Sequence, residues 1–209
     1  MTKSDIITAF EAISAAMTEN KDRLVELDAR SGDGDLGISM NDGFKAACAA
    51  IKNSEGNDPG RAVFAAARAF NESAPSSLGT IISVGLTGIA KRLRGEEEFG
   101  LAVAAEAIAA GISAIMEKTG TKTGERTFID AVYPASQTLL QACEQGKDIR
   151  EAFSAAAKAA ASGCEDTKEM LPVHGRSAYY GEKLLGFTDG GAEVGKLIFA
   201  VLSDIAGTL

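Results

Sequence analysis

Apolar residues recur every three or four positions along most of this 209-residue chain, and this period constrains the fold more than any other feature. Runs of alternating β-branched residues, which strands favour, are nearly absent. Alanine, the best helix former, occurs in clusters such as AAARAF and AAAKAAA. The sequence therefore predicts an all-α fold.

Glycines, a proline and charged turns divide the chain into about eight helical segments. The predicted segments are 4–27, 38–53, 58–72, 76–94, 99–118, 125–145, 148–167 and 190–208. Pro134 lies inside the sixth segment, so we expect a kink or a later start there. The stretch 168–190 has no helical period, and long structured loops in compact domains are often functional. Residues 1–209 are interpreted as a single domain.

Composition excludes several classes of function. The formal net charge is −8 and the basic residues are scattered, which argues against nucleic acid as a partner. No apolar stretch approaches the roughly 20 residues of a membrane span, and the N-terminal segment is too acidic for a signal peptide. Three widely spaced cysteines, Cys48, Cys143 and Cys164, are typical of reduced thiols. We expect a cytoplasmic protein with no membrane partner.

Three carboxylates fall within eight residues of a glycine-rich loop that follows the first predicted helix. They are Asp28, Asp33 and Asp35. Carboxylates so close together are costly unless a positive charge lies between them. Mg²⁺ takes oxygen ligands and usually binds through one or two carboxylates plus phosphates, while glycines permit the tight backbone. A solvated acidic turn fits the same spacing equally well.

Of two other loop motifs, the EF-hand is excluded and the dinucleotide-binding loop is disfavoured. An EF-hand requires a glutamate at loop position 12, which is Phe44 when counted from Asp33. Gly32, Gly34 and Gly37 spell the dinucleotide fingerprint, but that fingerprint must follow a strand and here follows a predicted helix. The metal site and the solvated turn remain the two interpretations of the loop.

Three segments, in the same order along the chain, resemble the nucleotide-binding L subunit of dihydroxyacetone kinases and the C-terminal domain of the single-chain ATP-dependent enzymes. They are ELDARSGDGDLGISMNDGF (26–44), GERTFIDAVYPA (124–135) and GRSAYYGEKLLGFTDGGA (175–192). The resemblance covers essentially the whole chain. It implies an eight-helix antiparallel up-and-down barrel with the nucleotide site at one end.

The resemblance also implies a ligand set. Asp28, Asp33 and Asp35 would hold Mg²⁺ ions that bridge to the phosphates of ADP or ATP. The implied nucleotide contacts are Leu36, Gly37, Ile38 and Ser39 after the acidic loop, Ser73, Ala74, Ser76 and Ser77 before the fourth helix, Thr119 or Gly120 with Phe128 beside the adenine, Arg176 as a phosphate clamp, and Asp189, Gly190 and Gly191.

Several of these residues also have an ordinary structural interpretation. Ser76 or Ser77 is equally a plain helix N-cap, Phe128 equally a core residue, and Arg176 a surface ion pair. Asp130 and Tyr133 are read as structural. The single histidine, His174, matches no family role.

The chain departs from the family pattern at three places. Leu36 stands where many members have histidine, the family's glycine-rich loop is a Pro/Ser version at 73–80, and the late Asp-Pro-Gly is Asp-Gly-Gly. These changes leave the acidic cluster intact. They place nucleotide affinity, phosphoryl donor and substrate in question.

The resemblance predicts the nucleotide-binding subunit of a dihydroxyacetone-type kinase, with no catalytic side chain of its own. It would transfer a phosphoryl group to a small hydroxyketone or related sugar held by a separate K subunit, and a homodimer is compatible with it. The donor would be ATP, or an ADP rephosphorylated by a phosphotransferase-system M subunit. The alternatives are a non-catalytic Mg–nucleotide regulatory module and, more weakly, a plain helical scaffold.

Overall fold

The computed structural model describes residues 1–209 and contains nine α-helices, three short 3-10 turns and no strand. The helices are α1 (Lys3–Glu19), α2 (Lys21–Asp28), α3 (Leu36–Asn53), α4 (Pro59–Ser73), α5 (Ser77–Leu93), α6 (Leu101–Thr119), α7 (Phe128–Glu144), α8 (Ile149–Asp166) and α9 (Gly190–Ile205). The 3-10 turns are Thr167–Glu169, Arg176–Tyr179 and Gly181–Leu184. The all-α prediction is confirmed.

The first predicted segment, 4–27, is two helices rather than one. Asn20 ends α1, and both its backbone N–H and its side-chain amide donate to the Ala16 carbonyl, at 3.0 and 2.9 Å. The chain resumes immediately as α2, a short helix that packs against α3 and α9. This break places Asp28, the last residue of α2, beside the first residues of α3.

Eight helices form a closed ring in chain order. Each of α3 to α8 packs on the next helix, and α1 packs on both α3 and α9. α7 also packs on α9, and α2 lies outside the ring. Buried apolar side chains fill much of the interior, where the Phe44 and Phe70 rings meet edge to face at 4.9 Å. Between the helices lies a partly open pocket of about 200 Å³ lined almost entirely by apolar residues. The arrangement matches the predicted eight-helix barrel.

Close helix contacts depend on glycines. A side chain at Gly88 of α5 would lie 2.8 Å from the Cα of Gly111 in α6. Pro134 lies inside α7, which begins at Phe128 rather than at 125. Proline has no N–H for the Asp130 carbonyl four residues earlier, and this carbonyl contacts α8 at Gly163.

None of the nine helices combines the length and the apolar character that crossing a bilayer requires.

We expect Gly163→Ala to lower the free energy of unfolding, although alanine is intrinsically the better helix residue by about 1 kcal/mol. The added methyl group would overlap the Asp130 carbonyl oxygen. Overpacking of this kind costs about 1–3 kcal/mol, which urea denaturation measures. Ser162→Ala, at an exposed position of the same helix, is the control and should be neutral or slightly stabilising. Unchanged stability in Gly163→Ala would contradict the close α7–α8 contact.

Candidate functional site

A cleft of about 750 Å³ lies at one end of the barrel. The first residues of α3, α5, α7 and α9 line it, together with the last residues of α2. Helix N-termini carry partial positive charge and free N–H groups, so they attract anions. Four of them around one cleft favour a ligand that carries several negative charges, such as a phosphate chain.

The acidic loop brings its three carboxylates together at the edge of this cleft. Ligand oxygens of Asp28, Asp33 and Asp35 all lie within 4.8 Å of one another. Asp28 accepts a hydrogen bond from the Gly34 N–H at 2.8 Å, and Gly34 adopts a φ of +74° that suits glycine. Asp35 precedes α3 but makes no capping bond, which leaves its carboxylate to other partners.

The electrostatics of the loop differ from one carboxylate to the next. The Arg176 guanidinium lies 2.6 Å from Asp33 and lowers the pKa of that carboxyl. Burial raises the pKa of Asp35, and the negative charges of Asp33 and Asp28 raise it further. A hard divalent cation would relieve this repulsion, and the all-oxygen donor set fits Mg²⁺.

The non-periodic stretch 168–190 forms one wall of the cleft. The Ser177 hydroxyl donates to the Ser31 hydroxyl of the acidic loop at 3.2 Å, and the Arg30 guanidinium lies 4.4 Å from the centre of the Phe187 ring. The same stretch also contacts the loop that precedes α7, where His174 Nε2 lies 2.6 Å from Glu125 Oε2. The lone histidine thus has a structural partner that its sequence context did not reveal.

The start of α9 is held by Asp189. Its side chain accepts from the Ala192 N–H at 2.9 Å, and its own N–H donates to the Thr167 hydroxyl at 3.0 Å. Burial raises the pKa of Asp189 to about 6, although the Ala192 N–H and the charge of Arg126 oppose this shift. Asp189 is therefore both the N-cap of α9 and a carboxyl with a raised pKa.

Most of the predicted site residues meet in the cleft. Those that line it are Asp28, Asp33, Asp35, Leu36, Ser76, Ser77, Phe128, Arg176, Asp189, Gly190 and Gly191. The Ser76 hydroxyl accepts from the Gly79 N–H at 3.1 Å, so its visible role is the N-cap of α5. Direct contacts of these residues with a nucleotide remain predictions.

Six predicted contact residues do not line the cleft: Gly37, Ile38, Ser39, Ser73, Ala74 and Thr119. Gly37 faces the Lys21 carbonyl of α2, where a side chain would overlap it. Ser39 and Ala74 are buried in the fold, whereas Ile38, Ser73 and Thr119 are exposed. Their predicted ligand roles therefore depend on backbone groups or on movement.

Sequence reasoning missed part of the lining. Leu78, Ile81 and Ile115 form an apolar wall beside Phe128, and Thr121 lies buried next to them. The helical period of apolar residues does not distinguish a cleft wall of this kind from ordinary core. Arg126, also missed, is a buried guanidinium within the GERTFIDAVYPA segment. Nothing in that segment's pattern distinguishes it from an exposed arginine.

Fold and site together define a helical-barrel domain with an acidic cleft ringed by helix N-termini. Residues 30–204 match the DAK2 domain, and the chain belongs to that family. It is 31% identical over 192 residues to the putative 3,4-dihydroxy-2-butanone kinase of Solanum lycopersicum, covering 88% of this chain and 32% of that protein. It is 22% identical to the ADP-binding subunit of the PEP-dependent dihydroxyacetone kinase of Escherichia coli, covering 92% and 91%.

The fold is that of a solved kinase. The crystal structure of the dihydroxyacetone kinase from C. freundii in complex with AMP-PNP and Mg²⁺ superposes with a TM-score of 0.74 at 23% identity, over 96% of this chain and 34% of that one. The resemblance inferred from the three sequence segments is thereby confirmed. The chain spans about a third of the length of the first curated relatives that it matches.

We expect Asp189→Asn to gain stability relative to the parent as the pH rises from 4 to 7. Asparagine caps helices as well as aspartate does, and it carries no charge to bury. Burial raises the pKa of Asp189 from 3.8 to about 6, so its contribution to folding is largest at low pH and is lost as the pH rises through the folded-state value. The difference in unfolding free energy should change by about 2 kcal/mol across this range.

Urea denaturation at several pH values measures this difference. Asp148→Asn, at the exposed N-cap of α8, is the control and should not gain stability with rising pH. A constant difference between Asp189→Asn and the parent would show that Asp189 ionises normally.

Proposed function

We propose that this chain binds Mg–ADP or Mg–ATP in the cleft and transfers a phosphoryl group to a small hydroxyketone or related sugar presented by a separate K-type subunit. One observation carries the proposal: the clustered oxygens of Asp28, Asp33 and Asp35 lie at the edge of a cleft lined by four helix N-termini. Phosphoryl transfer depends mostly on positioning and on neutralising charge, and this arrangement is suited to both.

The cleft offers a separate surface for each part of a nucleotide. Asp28, Asp33 and Asp35 would hold Mg²⁺, which neutralises phosphate charge when bound. The planar fork of Arg176, beside Asp33, suits phosphate oxygens. The wall formed by Leu78, Ile81, Ile115 and Phe128 suits the flat, apolar faces of adenine.

A separate subunit must present the hydroxyl that accepts the phosphoryl group, since no side chain of this chain is assigned to activate it. The 168–190 wall carries exposed apolar side chains, namely Leu171, Val173, Tyr179, Tyr180, Leu185 and Phe187. Tyr179 is 92% exposed. Exposed apolar clusters of this kind mark protein–protein contacts. A K-type subunit that delivers a hydroxyl to the terminal phosphate would cover these exposed side chains, which we call the rim.

Two phosphoryl donors are compatible with the site. In the first mode ATP exchanges freely, and in the second a retained ADP is rephosphorylated by a phosphotransferase-system M subunit. The similarity to a PEP-dependent subunit of nearly equal length supports the second mode. Purification of the protein with bound ADP would favour it.

A non-catalytic regulatory module that binds Mg–nucleotide is the alternative function. The exposed rim beside the cleft would serve a regulatory partner as well as a K-type subunit. This alternative predicts the same nucleotide binding but no phosphorylation when a K-type subunit is added.

Binding of Mg–ADP should raise the melting temperature, whereas ADP with a chelator, or NAD, should not. A ligand that binds only the folded state and is present at 100 times its Kd stabilises by about 2.7 kcal/mol, or about 5–10 °C for a chain of this size. Asp33→Ala should abolish the shift, because the metal would lose a carboxylate ligand. Asp204→Ala, an exposed carboxylate in the last turn of α9, should keep it. If ADP with a chelator raised the melting temperature as much as Mg–ADP does, the metal would have no part in binding.

Phosphorylation of dihydroxyacetone should require both this chain and an added K-type subunit. Tyr179→Ser should raise the K-subunit concentration that gives half-maximal activity by about 10-fold or more, because exposed tyrosines often dominate interfaces. Its Kd for Mg–ADP should not change. Phe64→Ser is the control, since Phe64 is 49% exposed on α4 and does not line the cleft. Equal effects of the two variants would disprove a docking role for the rim.

A further inference from the structure

Arg126 has an unusual backbone. It is the one residue other than glycine with a positive φ, at 60°. This conformation is unfavourable for a residue with a Cβ and persists only where the surroundings require it, often at functional sites. Arg126 directly precedes Thr127, the N-cap of α7, at the cleft.

Its side chain is also unusually placed. Arg126 is only 5% exposed; Nη1 donates to the Thr167 carbonyl at 2.7 Å, and the buried Nε has no partner. A buried guanidinium stays charged and is costly to desolvate, so packing alone does not account for it. The charge of Asp189 acts on it favourably.

A chain of contacts connects Arg126 to the start of α9. Thr167, whose carbonyl accepts from Arg126, uses its hydroxyl to accept from the Asp189 N–H at 3.0 Å and to donate to the Cys164 carbonyl at 2.6 Å. Thr167 is fully buried. Arg126, in the α6–α7 loop, is thus linked to Asp189 through Thr167.

The start of α9 in turn contacts the starts of two other helices. A side chain at Gly190 would lie 2.7 Å from Leu36 Cδ2 of α3, and one at Gly191 would lie 3.2 Å from the Phe128 nitrogen of α7. Small movements of α9 would therefore change how three of the four N-termini meet in the cleft.

We propose that Arg126 is a positioning residue of this site: through Thr167 it fixes the start of α9 against α3 and α7, and it places a permanent positive charge behind Asp189. The ligand class that would benefit is a nucleoside di- or triphosphate, so this inference rests on the proposed function. Arg176 differs, because it is exposed and paired with Asp33. Arg126 is the cation that the fold itself holds in place.

Three variants test the role. Arg126→Gly removes the guanidinium and suits the positive φ, and Arg126→Lys keeps the charge and one donor for Thr167. Arg92→Met is the control, since Arg92 pairs with Glu96 and Glu106 in the last turn of α5, at the other end of that helix. The measurements are melting temperature, Kd for Mg–ADP by calorimetry, and hydrogen exchange of the Asp189 amide without ligand.

Arg126→Gly should weaken Mg–ADP binding about 10-fold or more, and should speed exchange of the Asp189 amide by a similar factor, at temperatures where the protein is fully folded. Arg126→Lys should restore much of both. Arg92→Met should match the parent in both, whatever its melting temperature. If Arg126→Gly fails to fold, Arg126→Gln, which keeps a donor but not the charge, should still weaken binding.

Parental affinity and parental amide protection in Arg126→Gly would overturn the inference. The inference would also be overturned if Arg126→Lys did not restore the affinity and the loss of affinity simply matched the fraction of unfolded protein. If the parent itself fails to bind Mg–ADP, the proposed function is wrong. Exchange of the Asp189 amide then still decides whether Arg126 positions α9, because that measurement needs no ligand.

Discussion

The repulsion among three carboxylates held within 4.8 Å is the constraint on which the site depends. The loop does not relieve this repulsion by opening, because Asp28 keeps it closed through three hydrogen bonds. Its carboxylate accepts from the Gly34 N–H, and its backbone carbonyl accepts from the N–H groups of Ser31 and Gly32. Arg176 forms an ion pair with Asp33, and its charge offsets only part of the repulsion at Asp35. A bound cation would relieve the remaining repulsion, and a cation held here would attract phosphate.

The barrel topology supplies the complementary charge. In an up-and-down ring, neighbouring helices run in opposite directions, so every second N-terminus lies at the same end. The starts of α3, α5, α7 and α9 therefore gather around the cleft without any sequence motif common to the four. The helix N-termini would favour an anion whatever the sequence of the loop, while a preference for a metal would come from the acidic loop.

The sequence predicts what depends on local spacing. The helical period gives nearly every helix, and aspartates among glycines give the acidic loop. It does not predict the break at Asn20, because the apolar period continues through Leu24. Gly120, with φ +72°, turns the chain so that Thr121 rather than Thr119 faces the cleft. The burial of Arg126 is set by residues more than 40 positions away, such as Thr167, which no local pattern reveals.

Two of the departures from the family pattern lie in contact with each other in the structure. Leu36 stands where many members have histidine, and it is buried against the start of α9. Gly190 stands in place of proline, and any Cβ there would lie 2.7 Å from the Leu36 side chain. The Leu36 side chain thus occupies the space that a Cβ at position 190 would need. Because this contact concerns packing and leaves the carboxylates of Asp28, Asp33 and Asp35 in place, the proposed metal site does not depend on the residue at position 36 or 190.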